Sequence, residues 1–229
     1  MIDPSEFLRV VRPALEAGDA AMLAQAVQVR WRPGKVCRLL RDGDNDVRRV
    51  AAVTLGLIGD MQSVPSLTRA LRDQDEQVNQ MAEHGLWSIW FRSGDSKATK
   101  PFREGVALLS KESFDKAITK FHLATQIDPT FAESYNQCGI THYFLGHWKA
   151  AIADCRRTIR LVPAHFGAIA GMGHCYAQFG NFAEALRCYR WAMRINPRMT
   201  AIAEAIERLE VNIHDLDSSG EFLVDQFLN

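Results

Sequence analysis

The chain lacks most of the features that would announce chemistry. It has no Gly-rich phosphate loop, no H-E-x-x-H, no G-x-S-x-G and no dinucleotide fingerprint, since Gly171-Met172-Gly173 is followed by Tyr176 where a third glycine would stand. Its five cysteines, Cys37, Cys138, Cys155, Cys175 and Cys188, are odd in number and contain no C-x-x-C pair. That argues against a disulfide framework or a zinc knuckle and for reduced, packed thiols in a cytoplasmic protein. No run approaches the ~18 apolar residues of a membrane span, and Met1-Ile2-Asp3-Pro4-Ser5-Glu6 lacks the basic start of a secretory signal. There is no excess of either charge, with 27 basic and 27 acidic residues, so no global field draws the molecule to nucleic acid. Locally the balance shifts. Residues 93–197 carry 13 basic and 8 acidic side chains, and residues 198–229 carry 2 and 7.

What the chain does have is repetition, and two periods are present. The longer is 34: Pro129, Pro163 and Pro197 keep this step, as do Gly105, Gly139 and Gly173, and Ala117, Ala151 and Ala185. The aromatic series Phe114, Trp148, Phe182 and the aliphatic series Ile127, Leu161, Ile195 agree with them. Small residues in register suit helices that approach closely. The prolines end each second helix, because proline disfavours helical geometry in the residue before it. Gly146 and Gly180 supply turns within the second and third units.

The shorter period, 31, lies upstream. Leu40-Arg41-Asp42-Gly43-Asp44 returns as Leu71-Arg72-Asp73-Gln74-Asp75, and Val47, Ala51, Leu55, Ile58 return as Val78, Ala82, Leu86, Ile89. Spacings of 4, 4 and 3 place each quartet on one helical face. The acidic cluster before each quartet suits a helix N-terminus. Residues 5–31 read as two helices broken at Gly18-Asp19, and Arg92-Ser93-Gly94-Asp95-Ser96 as a short linker with no recognisable second helix after Trp90.

The 34-residue pattern resembles the tetratricopeptide repeat. Counted from Ala98, Ala132 and Phe166, the family's small eighth residue is Gly105, Gly139 and Gly173, and its alanine is Ala117, Ala151 and Ala185. Its large twenty-fourth residue is Phe121, Cys155 and Tyr189, with Cys155 small for the slot; Pro101 is a second departure, tolerable in a first turn. The stretch Asp46 to Asp60 resembles the short HEAT repeat of phycobilisome-lyase-type proteins. Together these imply an all-α, right-handed helical-repeat solenoid. N-terminal helices and HEAT-like repeats occupy 1–92, three tetratricopeptide units follow over 98–197 (98–131, 132–165, 166–199), and 198–229 forms a capping helix, about Thr200 to Ile213, and a tail. The two repeat types are expected to stack as one continuous superhelix, with Trp87, Trp90 and Phe91 at the joint.

The resemblance implies a non-catalytic protein-interaction adaptor or scaffold, with a concave groove lined by first helices. Carried over position by position, the groove candidates are Phe102, Val106, Leu109, Asn136, Ile140, Tyr143, Phe144, Ala170, His174 and Gln178. Tyr143 and His174 are expected to face the groove rather than the core. The positions that in chaperone-binding relatives grip an acidic C-terminus are here Phe102, Val106, Gln137, Gly167 and Gly171; none is basic, which favours a hydrophobic or helical segment as the partner. Two alternatives stand beside this. One is a bilin-lyase-like or other HEAT-associated enzyme, for which the N-terminal segment offers only Cys37 and His84. The other is a nucleic-acid-associated factor using the second-helix basic residues Lys116, Lys120, Arg156, Arg157, Arg160, Arg187, Arg190 and Arg194, though no interleaved aromatics are evident. Cys138, His142, His174 and Cys175 occupy ordinary repeat positions, so no metal or cofactor is called for. Phe222, Leu223, Phe227 and Leu228 fit a short amphipathic helix that would dock on the basic array or remain a frayed end.

Overall fold

The computed structural model describes residues 2–219, with side chains through Val211. Among them there are only helices: α1 (Pro4–Glu16), α2 (Ala20–Gln28), α3 (Pro33–Val36) with a 3₁₀ turn at Cys37–Arg41, α4 (Asn45–Ile58), α5 (Val64–Ala70) and α6 (Glu76–Arg92). Then come α7 (Ser96–Leu109), α8 (Phe114–Ile127), α9 (Ala132–Phe144), α10 (Trp148–Leu161), α11 (Phe166–Gln178), α12 (Phe182–Ile195) and α13 (Thr200–Ser219). The architecture is an all-α helical-repeat solenoid. From α7 onward the helices alternate as hairpins, each packed on its predecessor.

Both periods describe buried faces. Val47, Ala51, Leu55 and Ile58 on α4, and Val78, Ala82, Leu86 and Ile89 on α6, are all buried, and the two helices pack on one another. Gly56 and Gly85 meet at their crossing, where a Cβ on Gly56 would stand 3.2 Å from the Gly85 Cα. Asp44 and Asp75 cap their helices by accepting from the backbone N–H of Asp46 and Val78. The acidic clusters also tie the two units together: Arg48 forks onto both oxygens of Asp73 at 2.8 and 2.9 Å, and Arg49 pairs with Asp75. One period later Arg48 becomes Asn79, which is buried and donates to the carbonyls of Ala70 and Asp73. With no further unit of this kind to reach, the arginine is replaced by a local cap.

In the second series, Gly105 faces the ring of Phe121 and Gly173 the ring of Tyr189, so closely that a Cβ at either glycine would lie 2.6 Å from a ring carbon. Left-handed turn positions recur at the same step, as Glu112 (φ 56°), Gly146 (φ 72°) and Gly180 (φ 72°). The first is glutamate in a conformation that favours glycine. Pro101 lies in the second turn of α7, not the first, because the helix begins two residues before Ala98. Its ring therefore removes one internal hydrogen bond. At the other end α13 continues to Ser219, so residues 215–219 are helical rather than part of a loose tail. The tail positions Phe222, Leu223, Phe227 and Leu228 lie outside the described residues.

The N-terminal block continues the repeat series in sequence but not in space. After α6 the chain reverses, and α6 lies along the row of turns that begin the later first helices. Glu76 pairs with Arg198 at 3.7 Å, and Glu83 accepts from Asn196 at 3.0 Å. Trp87 and Trp90 pack on His165 and Phe166. Gly94 lies under the ring of Phe131, and the Asp95 N–H donates to Asp128 at 2.9 Å. Third turn, second turn and first turn are thus touched in that order as the chain runs from Glu83 through Trp87 and Trp90 to Gly94. Arg92 fixes the far end of α6 by donating to the carbonyls of Gly56 and Gly59 at 2.6 and 2.8 Å, groups that α4 leaves open at its C-terminus. One hydrophobic core runs from Phe7 through α6 to Ile202. A smaller one, around Phe102, Phe121 and Phe131, serves α7 and α8.

Candidate interaction groove

The first helices α7, α9 and α11 present a common face, and α6 divides it in two. In the half nearest their N-termini, Phe102, Asn136 and Ala170 are 1%, 2% and 4% exposed. Phe102 and Ala170 are therefore corrected from groove lining to interior, whereas Asn136, though buried, lines the base of the pocket described below. Phe102 sits among Phe91, Phe121 and Phe131, and Asn136 donates to Glu133 at 3.0 Å. At Gly167, which is partly exposed, Trp87 takes the place of a side chain, since a Cβ would stand 2.5 Å from Trp87 Cη2.

A buried polar cluster closes this half. Glu133 and His165, whose side chains are both fully buried, meet at 2.9 Å, and Glu133 also accepts from Asn136 and Gln137. His165 uses its other nitrogen to cap α11, accepting from the Ala168 N–H at 3.0 Å, and its ring stacks on Trp90 with centroids 4.1 Å apart. The carboxylate thus has three partners and the imidazole two, as buried polar groups require. Neither residue stood out in the sequence. The only signal is that each sits beside the first position of its unit, 32 residues apart.

The other half of the face is open. Val106, Leu109, Ile140, Tyr143 and His174 are partly exposed, Gln178 is exposed, and Phe144 is 61% exposed. Between α9 and α11, Ile140, Tyr143, Phe144 and His174 surround a pocket of about 230 Å³, to which Asn136, Gly139, Cys155, Gly167, Gly171 and Cys175 also contribute. Its floor exists because Cys155 stands where the neighbouring units place Phe121 and Tyr189, so no ring fills the space beside Gly139. Val106 and Leu109 lie outside this pocket, along α7. His174 is anchored rather than free: its Nδ1 meets the Tyr189 hydroxyl at 2.8 Å, and burial pushes its pKa below the ordinary 6.5. The sequence-based expectation is that it faces the groove rather than the core, and it touches both, lining the pocket and reaching Tyr189. Burial also raises the thiols of Cys155, Cys175 and Cys188, the last two to about 11, so they stay protonated and apolar in character.

The remaining candidates fall elsewhere. His84 is exposed beside an apolar cleft of about 350 Å³ between α1, α2, α4 and α6, and Cys37 does not line it. On the second-helix side, Lys120, Arg187 and Arg190 pair with Glu104, Glu184 and Glu210. Arg156 donates to the Tyr176 hydroxyl, and Arg157 lies over the ring of Tyr135. A hollow there brings Tyr176 and Trp191 among Arg156, Arg187, Arg190 and Arg194, aromatics that the linear order of residues concealed. No described helix is long and apolar enough to cross a membrane.

Comparison with known proteins places both repeat types. A family model for HEAT repeats matches residues 35–111. Its final stretch overlaps α7, which in space packs on α8. A TPR repeat-containing protein of Rhizobium etli is 26% identical over 86 residues, covering 38% of this chain and 42% of that protein. The chain thus matches less than half the length of this curated relative. Among solved structures, the Sgt2 TPR domain of Aspergillus fumigatus superposes with a TM-score of 0.53 at 17% identity, over 59% of this chain and 91% of that one. The first TPR of Spaghetti (RPAP3), bound to the HSP90 peptide SRMEEVD, does so at 0.51 and 16%, over 53% and 97%. The Arabidopsis OM64 TPR domain gives 0.50 at 18%, over 50% and 95%.

Proposed function

We propose that this chain, a repeat protein of HEAT-like units followed by tetratricopeptide units, is a non-catalytic adaptor that holds an apolar peptide or helix of another protein in the open half of its groove. The observation that carries the reading is the apolar pocket under Tyr143 and Phe144, flanked by the most exposed large aromatic of the described array. An apolar pocket rimmed by a few polar groups is the usual form of a recognition site. The Spaghetti relative holds the acidic peptide SRMEEVD. Here, among the positions that would clamp such a peptide, Phe102 is interior, Gln137 is bound to Glu133 and Gly167 has Trp87 where a side chain would stand, and no lysine or arginine lines the pocket. A peptide carboxylate would lose its hydration without gaining a cation.

The test is fluorescence anisotropy with two labelled probes, an amphipathic leucine-rich helix and an acidic peptide ending in Glu-Glu-Val-Asp. The apolar probe binds more tightly, and Tyr143→Ala with Phe144→Ala weakens it at least tenfold while the thermal midpoint changes little. Tighter binding of the acidic probe, or an unaffected apolar one, rejects the reading. A second reading rests on the arginine and aromatic hollow of the second-helix side, which fits a phosphate-bearing chain. Binding of a single-stranded oligonucleotide that falls steeply with salt, and that Trp191→Ala weakens, would favour it instead.

A further inference from the structure

Away from the groove, on the opposite side of α9, three side chains with metal-ligating atoms converge. Cys138 and His142 stand one turn apart on α9, and Asp154 faces them from α10. His142 Nδ1 lies 2.8 Å from Asp154 Oδ2 and 3.9 Å from Cys138 Sγ, and all three donor atoms lie within 4.8 Å of one another. Two more imidazoles flank this group: His122 on α8 and His147 in the turn before α10, with ring centroids 6.5 and 6.1 Å from that of His142. Both are exposed, so their rings are free to turn inward. Three of the chain's 7 histidines meet at one point.

The sequence called for no metal at Cys138, His142, His174 and Cys175, and only the first two of these belong to this group. His174 and Cys175 belong to the groove pocket, and Asp154, His122 and His147 are distant in sequence from Cys138. The spacing also fits a small ion. Around a tetrahedral zinc, sulfur to nitrogen is about 3.6 Å and nitrogen to oxygen about 3.3 Å, from bond lengths of about 2.3 and 2.05 Å. The gaps of 3.9 and 2.8 Å bracket these values, so each changes by about half an ångström or less.

We propose that Cys138, His142 and Asp154, completed by the imidazole of His147 or His122, bind one zinc-class divalent cation. The donor set of one thiolate, one carboxylate and two neutral imidazoles is borderline-soft and cancels the charge of a dication. With four protein ligands no position stays open for substrate, which makes the site structural rather than catalytic. Its place agrees with that role. Cys138 belongs to the small core of α7 and α8, while Cys155 and Ile152, neighbours of Asp154 on α10, belong to the large one, so the ion would staple the seam between the two. Without metal, burial and then Asp154 push the Cys138 thiol far above its ordinary range. Binding therefore breaks the S–H bond, forms the sulfur–metal bond and releases that proton to solvent, with no electron transferred.

The experiment is titration of the full chain with Co2+ under reducing conditions, followed by Zn2+. The expected result is one equivalent bound, a thiolate-to-cobalt charge-transfer band, and its loss on adding one equivalent of Zn2+. The band disappears in Cys138→Ser and persists in Cys37→Ser. Because a buried polar replacement can disturb folding, a second variant, His122→Ala with His147→Ala, alters only exposed rings. It retains the helical circular dichroism spectrum and loses ~10–100-fold in zinc affinity. Zinc also raises the thermal midpoint of the wild type, and a chelator reverses this. No charge-transfer band in the wild type, a band that survives Cys138→Ser, or unchanged affinity in the double histidine variant overturns the proposal.

Discussion

Trp87 occupies the place that a side chain on Gly167 would need: an added Cβ would stand 2.5 Å from the indole Cη2. The contact joins the two repeat types, and it makes a reciprocal prediction. Gly167→Leu in the natural background overpacks the contact and destabilises by ~1–3 kcal/mol. In a Trp87→Ala background the leucine enters the space the indole left, so the same substitution costs clearly less. Urea denaturation of the four proteins measures the coupling, and additive effects would mean that the two residues do not share this space.

The buried pair Glu133 and His165 predicts a large, one-sided effect. His165→Leu leaves Glu133 fully buried with only the amides of Asn136 and Gln137 and removes the cap of α11. The expected loss is ~3–5 kcal/mol, read as a lowered urea midpoint. A substitution of exposed His84 serves as the control and changes stability by less than about 0.5 kcal/mol.

Cys155 links stability and binding with opposite signs. Cys155→Leu fills the floor of the groove pocket, approaching the large residue that Phe121 and Tyr189 supply in the other units. Stability is unchanged or rises by up to ~1 kcal/mol, while affinity for an apolar peptide falls. A variant that loses both properties together would place the pocket elsewhere.

Much of this was legible in the residues. The pairs Gly105 with Phe121 and Gly173 with Tyr189 fall within one unit, so a 34-residue period exposes them, and the same holds for the 31-residue quartets of α4 and α6. The contacts of Trp87 with Gly167 and of Glu133 with His165 were hidden. The first links two series with different periods, and the second is a chemical match at positions where the repeats set no rule. The occlusion of Phe102, beside Phe91 of α6, follows from the reversal after α6, which no local pattern encodes. Cys155 was visible as an irregularity, and its meaning needed the space around it.

His174 makes the groove sensitive to acid. Burial holds its folded pKa below 6.5, so the unfolded chain takes up the proton first as pH falls. The contribution of this residue to stability is therefore complete above about pH 6.5 and is lost as pH falls below that toward the lowered folded pKa. Affinity for an apolar peptide declines over the same window, because a charged imidazole at the pocket wall is less easily desolvated. His174→Gln flattens both profiles in thermal denaturation and anisotropy. A wild-type profile that is already flat would contradict the assignment.

Glu112 carries a small, separable strain. Its left-handed backbone corresponds to Gly146 and Gly180 in the later units. Glu112→Gly relieves about 1–2 kcal/mol of conformational cost against the added freedom of glycine in the unfolded chain. A net gain of up to ~1 kcal/mol is expected, visible as a higher thermal midpoint.

A stack of hairpins touching only their neighbours behaves as a spring, because small rotations at each joint add up along its length. The contacts of α6 and the residues just after it with three successive turns turn that spring into a splinted beam. Stretching or coiling it requires the contacts of Glu83, Trp87 and Gly94 to slip together, since all three belong to one continuous backbone. The width of the groove between α9 and α11 is consequently set before any partner arrives. A ligand then loses little free energy to shaping its receptor, and selectivity comes to depend on the girth of the side chain it offers.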